Sequence, residues 1–226
     1  SGSTGLPKGV VLSHRNLVAG AESVSTYLGN TSDDRILSIL PFSFDYGFNQ
    51  LTTALRVGAT IVLKNHLSAG DTLRTLAAER ITGLAGIPTL WSALLQADWT
   101  GATLPDLRYI TNSGGRFAEQ HVREYRTRLP HTRIFLMYGL TEAFRSTYLP
   151  PELIDERRGS MGKAIPNAEI MVVRADGTPC MANEPGELVH RGALVSLGYW
   201  NDRERTSTRF RPAPGQPEGI PLTEMA

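Results

Sequence analysis

The sequence predicts an α/β protein, with mixed, largely parallel sheets covered by helices over residues 1–150 and a smaller β-rich lobe over 151–226. Three observations carry this. Short apolar, β-branched runs alternate with helical periodicities up to about residue 150, as in parallel strands joined by crossover helices. Beyond that point the helical period stops, and two strand-like runs follow around an Asp-Gly turn. A chain of 226 residues, 41% of them hydrophobic, can bury a sizeable core.

The elements follow in chain order. In "LSHRNLVAGAESVSTYL" the residues Leu17, Val18, Ala21, Val24 and Leu28 fall at helical spacing, with Ser13 as N-cap. "RILSIL" (35–40) and "ATIVLKN" (59–65) read as buried strands, and Phe48, Leu51 and Leu55 mark a helix between them. "GDTLRTLAAER" reads as a helix and "ITGLAGI" as a strand. "TLWSALLQA" is a helix started by Pro88, and "LRYITNS" is a strand. "AEQHVREYRTRL" is a helix and "RIFLMYG" a strand. In the second lobe, "AEIMVVRADGTPC" and "GELVHRG" are strands joined through Asp176 and Gly177, and "PAPGQPEG" reads as a surface loop.

Composition excludes several classes. Lys and Arg total 23 against 22 Asp and Glu, a net charge of +1, which gives no reason to invoke nucleic acid or an anionic membrane. No apolar run approaches the roughly 20 residues of a membrane span, and the opening residues do not have the charged-then-apolar pattern of a leader. The single cysteine, Cys180, rules out an intramolecular disulfide framework, so a cytoplasmic location is the expectation.

The chemistry begins at "SGSTGLPKG", Ser1 to Gly9. Gly2, Gly5 and Gly9 let backbone amides converge on an anion, Ser1, Ser3 and Thr4 add hydroxyl donors, and Lys8 adds a charge, a set suited to a polyphosphate. Neither the Walker spacing nor a G-x-G-x-x-G after a strand is present, which excludes a P-loop kinase and a dinucleotide dehydrogenase. The second cluster is "YGLTEA", placed at the end of a buried strand. There Tyr138, Gly139, Thr141 and Glu142 would set an aromatic face, a phosphate donor and a hard-cation ligand at the carboxyl edge of the sheet. A helix cap by Thr141 is the competing reading. His14 and His121 have no partner carboxylate in their motifs and read as structural.

In order and spacing, "SGSTGLPKG", "SHRNL", "YGLTE", "GSMGKAIPN", "GELVHRG" and "LGYWN" resemble the AMP-forming acyl-adenylate synthetases. That superfamily contains acyl-CoA synthetases, peptide-synthetase adenylation domains and firefly-type luciferases. More loosely, "LPFSFDYGFNQL" and "YGLTEAFRSTYLPPE" resemble the AMP-ligases of bacterial exosortase loci. The resemblance implies part of the large N-terminal domain of an adenylate-forming enzyme. It also implies ATP- and Mg²⁺-dependent conversion of a carboxylic acid to acyl-AMP, then transfer to CoA or to the phosphopantetheine of an acyl carrier protein. By resemblance, the Ser1–Gly9 loop with Lys8 would hold the β- and γ-phosphates, Tyr138 would lie along the adenine, Thr141 would bind the α-phosphate and Glu142 would ligate Mg²⁺. Gly114 and Gly115 would pack beneath the adenine and acyl group.

The acyl side carries one clue. Phe44-Asp45 resembles the Phe-Asp of amino-acid-activating adenylation domains, where the aspartate pairs with an α-ammonium, and Asn49 joins them as a substrate-binding candidate. The alternative is that Asp45 N-caps the following helix. The family's Tyr/Arg-x-Thr-Gly-Asp ribose motif, its hinge and its C-terminal lysine domain do not follow Asn201, and no strand precedes the loop. The chain is therefore expected to be a central piece of a longer ligase, inactive alone, with its opening loop the least ordered part. The alternatives are an amino-acid-activating domain that loads a carrier, or a nucleotide-binding piece without turnover.

Overall fold

The structure, a computed structural model, describes residues 7–65, 68–212 and, as backbone, 223–225. Helices α1 (His14–Leu28), α2 (Asp45–Val57), α3 (Ala69–Ala78), α4 (Pro88–Gln96) and α5 (Glu119–Arg128) alternate with strands β1 (Arg35–Ser38), β2 (Thr60–Leu63), β3 (Gly83–Gly86), β4 (Tyr109–Asn112) and β5 (Arg133–Tyr138). Then come β6 (Thr147–Leu149), β7 (Lys163–Ala164), β8 (Ala168–Val173), β9 (Glu187–Gly192), α6 (Arg203–Arg209), β10 (Phe210–Arg211) and β11 (Thr223–Met225).

A seven-stranded sheet runs β2-β1-β3-β4-β5-β6-β7. Its first five strands are parallel, while β6 and β7 are antiparallel. The α/β class read from the sequence is thus the observed one. Side chains alternate across the sheet. Leu84, Ile110 and Ile134 pack with Trp91 of α4 and Tyr125 of α5 on one face, whereas Ala85, Tyr109 and Phe135 pack with Val24 and Leu28 of α1 and Tyr46 of α2 on the other. Both faces are covered, and because β1 to β5 run parallel their carboxyl ends open on the same rim.

The second sheet, β10-β11-β9-β8, is antiparallel. The Asp-Gly turn lies where the sequence put it, with Gly177 at φ +82, but it closes a small arm. Val173 bridges Pro179, and β9 begins only at Glu187, so the two strands are joined less directly than the sequence suggested. Phe144, Ile165 and Leu194 form a small core that joins this half to α1. Most of the "PAPGQPEG" stretch lies outside the described residues. No helix among the described residues is long and apolar enough to cross a membrane.

Two corrections concern α2. Its predicted apolar stripe is not its buried face, because Leu55 is 72% exposed while Asn49, Gln50 and Thr53 are buried against the neighbouring elements. Its N-cap is Phe44, with no side-chain cap bond, and Asp45 is the first helical residue.

Candidate functional site

The rim at the carboxyl ends of the parallel strands is built by short segments leaving β1, β4 and β5. Ligands of open α/β sheets bind at this edge, because the chain turns there and leaves a crevice. The segment after β1 delivers Phe44 and Asp45, that after β4 delivers Ser113 and Gly114, and that after β5 delivers Gly139 to Arg145. Together with Lys8, and leaving out the buried Ala143 and Phe144, they line a cavity of about 270 Å³. A second, wider cavity of about 590 Å³ lies between Lys8, Glu142 and Tyr199 and the α6 region. Lys8 and Glu142 line both, so the two form one groove.

The turn after β5 explains the Tyr-Gly pair. A β-carbon on Gly139 would stand 2.9 Å from Arg145 Cα and 3.0 Å from the Phe144 carbonyl oxygen, so only glycine lets the chain fold back this tightly. Phe144 takes φ +60, an uncommon conformation for a phenylalanine, held by its complete burial. No helix follows Thr141, so it is not an N-cap. Instead its Oγ1 donates to Asp45 Oδ1 at 3.4 Å across the cavity.

Glu142 is held from two sides. Its backbone carbonyl accepts from Ser196 N–H at 2.8 Å, and its Oε1 accepts from the Tyr199 hydroxyl at 2.7 Å. Lys8 Nζ sits 4.7 Å from the centre of the same tyrosine ring. The residues that follow the opening loop pair with the segment around Tyr199. Val10 bridges Tyr199, Val11 N–H donates to the Gly198 carbonyl and Trp200 N–H donates to that of Gly9. The expectation about the order of the opening loop falls mostly on residues outside those described. Ser1, Gly2, Ser3, Thr4 and Gly5 lie outside the described residues.

The "SHRNL" stretch forms a capping box at the start of α1. Ser13 Oγ accepts from Asn16 N–H, and Asn16 Oδ1 accepts from Ser13 N–H. Asn16 Nδ2 also donates to the carbonyls of Ala193 and Val195, both at 2.8 Å, fixing the chain that leads to Tyr199.

Of the remaining sequence candidates, Gly114 lines the cavity at φ +74, with Phe44 Cζ 3.5 Å from where a β-carbon would be. Gly115 lies one residue on, its carbonyl accepting from Asn112 Nδ2. Tyr138 ends β5 half-buried, paired with Thr147. Asn49 lies one turn along α2 from Asp45, buried with both amide atoms unpartnered among the described residues, and is not among the residues lining the cavity.

Sequence reasoning missed Arg145 and Tyr199. Tyr199 stood in the quoted "LGYWN" motif, but nothing in that motif tied it to Glu142. Arg145 is 1% exposed; Nη1 donates to Ser113 Oγ at 3.2 Å and the guanidinium lies 4.5 Å from the Tyr46 ring centre. Burial pushes the Asp45 carboxyl above the usual aspartate range, against the opposing influence of Arg145 and the Thr141 hydrogen bond.

Magnesium favours one or two carboxylates together with phosphate oxygens. Glu142 fits that use, since it forms no ion pair among the described residues and no cluster of three or more metal-ligating side chains competes there. The Thr141 hydroxyl and the Lys8 ammonium, which line the same cavity, are groups that can bind phosphate oxygens.

The AMP-binding enzyme family matches residues 1–200. Indoleacetate–CoA ligase of Aromatoleum aromaticum is 35% identical over 211 residues, which is 92% of this chain and 41% of that protein. A linear gramicidin synthase of Brevibacillus parabrevis is 32% identical over 96% of this chain and 4% of its own length. O-succinylbenzoate coenzyme A synthetase from Bacillus subtilis, solved in complex with AMP, superimposes with a TM-score of 0.86 at 28% identity, over 100% of this chain and 47% of that one. The chain thus spans under half the length of each of these relatives. With a match from residue 1 to 200 and a seven-stranded sheet of the same fold, the chain belongs to the AMP-binding enzyme family.

Proposed function

We propose that the protein carrying this chain activates a carboxylic acid with ATP and Mg²⁺, giving acyl-AMP and pyrophosphate, and passes the acyl group to a thiol. One observation carries the reading. Lys8, Thr141 and Glu142 line the same cavity as Phe44, Asp45 and Gly114, and Lys8 and Glu142 also line the wider cavity beside Tyr199. Phosphate-binding groups and an acyl-sized space thereby share one wall.

The reacting carboxylate is already a nucleophile, so the site needs no general base. Its contribution is alignment and offset of charge on the phosphates. Thr141 donates to an α-phosphate oxygen, and Lys8 and the glycine loop hold the pyrophosphate as it leaves. Glu142, fixed by Tyr199, would hold Mg²⁺, which would supply charge neutralisation to the phosphates. Tyr138 and Gly139 border the adenine, and the acyl group lies over Gly114 and Gly115 against Phe44, with Asn49 supporting the Asp45 end of α2. Residues 1–150 carry the nucleotide and acyl sites, and 151–226 form a β-rich subdomain that contributes Tyr199. CoA is the acceptor by likeness to the CoA ligases. Likeness to the gramicidin synthase supports a second reading, an amino acid loaded on a carrier-bound phosphopantetheine. The placement of Asp45 at the cavity, rather than as a cap, favours this second reading, since a substrate ammonium would offset its buried carboxylate.

The test is ATP–pyrophosphate exchange by the full-length protein with a panel of fatty, aryl and amino acids. Exchange that requires both an acid and Mg²⁺ is expected. Exchange without acid, or with none of the acids, would contradict the reading.

A further inference from the structure

The acyl chamber contains a buried cation that no ion pair in the described chain neutralises. Arg145 is among the largest fully buried side chains, lines the cavity and forms no ion pair among the described residues. A guanidinium does not shed its proton, so its charge persists in the folded protein and has to be offset by another group. Nη1 is engaged by Ser113, but Nε and Nη2 have no hydrogen-bond partner among the described residues.

Those two nitrogens form one edge of the guanidinium, the fork that matches the two oxygens of a carboxylate. The same molecule shows the edge in use. Arg108 donates to Asp34 Oδ1 through Nε at 3.0 Å and to Asp34 Oδ2 through Nη2 at 2.7 Å. Asp45 is the carboxylate that shares the cavity with Arg145, but it receives the Thr141 hydroxyl instead of pairing with the arginine.

We infer that Arg145 is a specificity-determining residue whose Nε–Nη2 edge takes a second carboxylate of the activated acid, so that the substrate class is a short dicarboxylic acid. This deepens the adenylation reading above and rests on it. One carboxylate lies against Thr141 for activation and the other against Arg145 at the floor of the chamber. Thr141 and Arg145 line the same cavity, so the two carboxylates lie within one chamber and the spacer between them is short. A monocarboxylic acid of equal length would leave the fork empty and the cation without a partner, which is the larger penalty in recognition.

The experiment is ATP–pyrophosphate exchange by the full-length protein with matched pairs, glutarate against pentanoate and adipate against hexanoate. A carboxylate lost from a buried charge pair predicts a kcat/KM ratio of about 50 or more in favour of the diacid for one pair. In Arg145→Met that ratio falls to about one, and Arg145→Lys recovers part of it, because a point charge replaces the fork. A wild-type preference for the monoacids, or an Arg145→Met variant that loses both members of each pair equally, overturns the inference. Titration with AMP alone is the second readout. Loss of AMP affinity in Arg145→Met would assign the guanidinium to the nucleotide phosphate and also overturn it. Calorimetry with glutarate separates the two readings. Arg145-dependent glutarate binding without exchange would sink the adenylation reading and leave only a carboxylate site at Arg145, whereas exchange with monoacids only would keep adenylation and overturn the inference.

Discussion

At the amino-terminal ends of β1, β3 and β4, Asp34 and Arg108 meet in a closed network, whereas at the carboxyl ends of the same sheet Asp45 and Arg145 share a cavity without meeting. Asp34 is 2% exposed and accepts from Arg108, from Thr82 Oγ1 at 2.6 Å, from Asn30 Nδ2 and from the Thr31 N–H. Burial works to raise its pKa, but these bonds together outweigh it and hold the carboxyl below the usual aspartate range. At the other end burial wins and the Asp45 carboxyl is raised, while Arg145 keeps one edge unsatisfied. The same two residue types are therefore a structural clasp at one end and a receptive site at the other. What separates them is whether the hydrogen-bonding capacity is already filled.

The largest expected effect is at the receptive end. Glu142→Gln keeps an acceptor for the Tyr199 hydroxyl but removes the charge, and exchange should fall by about 100-fold or more, the scale of losing one electrostatic stabiliser. Little change in melting temperature should accompany it; a collapse of the melting temperature would make Glu142 a structural residue.

Next is a third buried polar group, His190 on β9, which tests what burial does without a charged partner. It is 2% exposed, Nδ1 shares a hydrogen bond with Ser146 Oγ, and burial lowers its pKa from 6.5 to about 4. The unfolded chain then binds more protons than the folded one between those values, so stability is full above pH 6.5 and is lost as pH falls toward 4. The loss should reach about 3 kcal/mol at the acid end, read by urea titration at several pH values. His190→Gln should flatten the profile in that window.

The clasp comes third. Asp34→Asn leaves Arg108 without its counter-charge, and since the Arg108 side chain is 36% exposed the cost is discounted to about 2 kcal/mol of stability. Because the folded pKa is depressed, this contribution is present above the unfolded value of about 3.9 and is lost as pH falls through the folded one. Denaturant midpoints of the two proteins should converge below that range; a constant gap would contradict the clasp. Arg145→Met, by contrast, should leave the midpoint unchanged or raised. The smallest effect is Gly114→Ala, where φ +74 disfavours any side chain and the new methyl would lie 3.3 Å from Ile87; about 1 kcal/mol is expected from chemical denaturation.

Much of this was legible in the sequence for physical reasons. The strands at "RILSIL" and "RIFLMYG" are apolar because both faces of a parallel sheet are buried, and Ser13 and Pro88 mark helix starts by their own chemistry. What the sequence hid was decided by tertiary contact. α2 was found but its buried face was not, since tertiary packing buries Asn49 and Thr53 and leaves Leu55 in solvent. β6 and β7 are three and two residues long and carry no period to read. α6 is a short polar helix, RERTSTR, held at its start by the Asp202 side chain. At the site, Lys8, Thr141 and Glu142 were legible as residue types suited to phosphate and cation. Arg145 was not, because arginine is ordinarily exposed and only the turn through Phe144 drives it inward.

The most direct test compares ATP–pyrophosphate exchange and melting temperature for Thr141→Ala and Asp34→Asn in the full-length protein. The two ends of the sheet should separate cleanly. Thr141→Ala loses acid-dependent exchange by about 100-fold or more at an unchanged melting temperature, and Asp34→Asn lowers the melting temperature while exchange persists below it. Exchange that survives Thr141→Ala, or is abolished in folded Asp34→Asn, would contradict the assignment of the carboxyl-end groove as the place where the acid is activated.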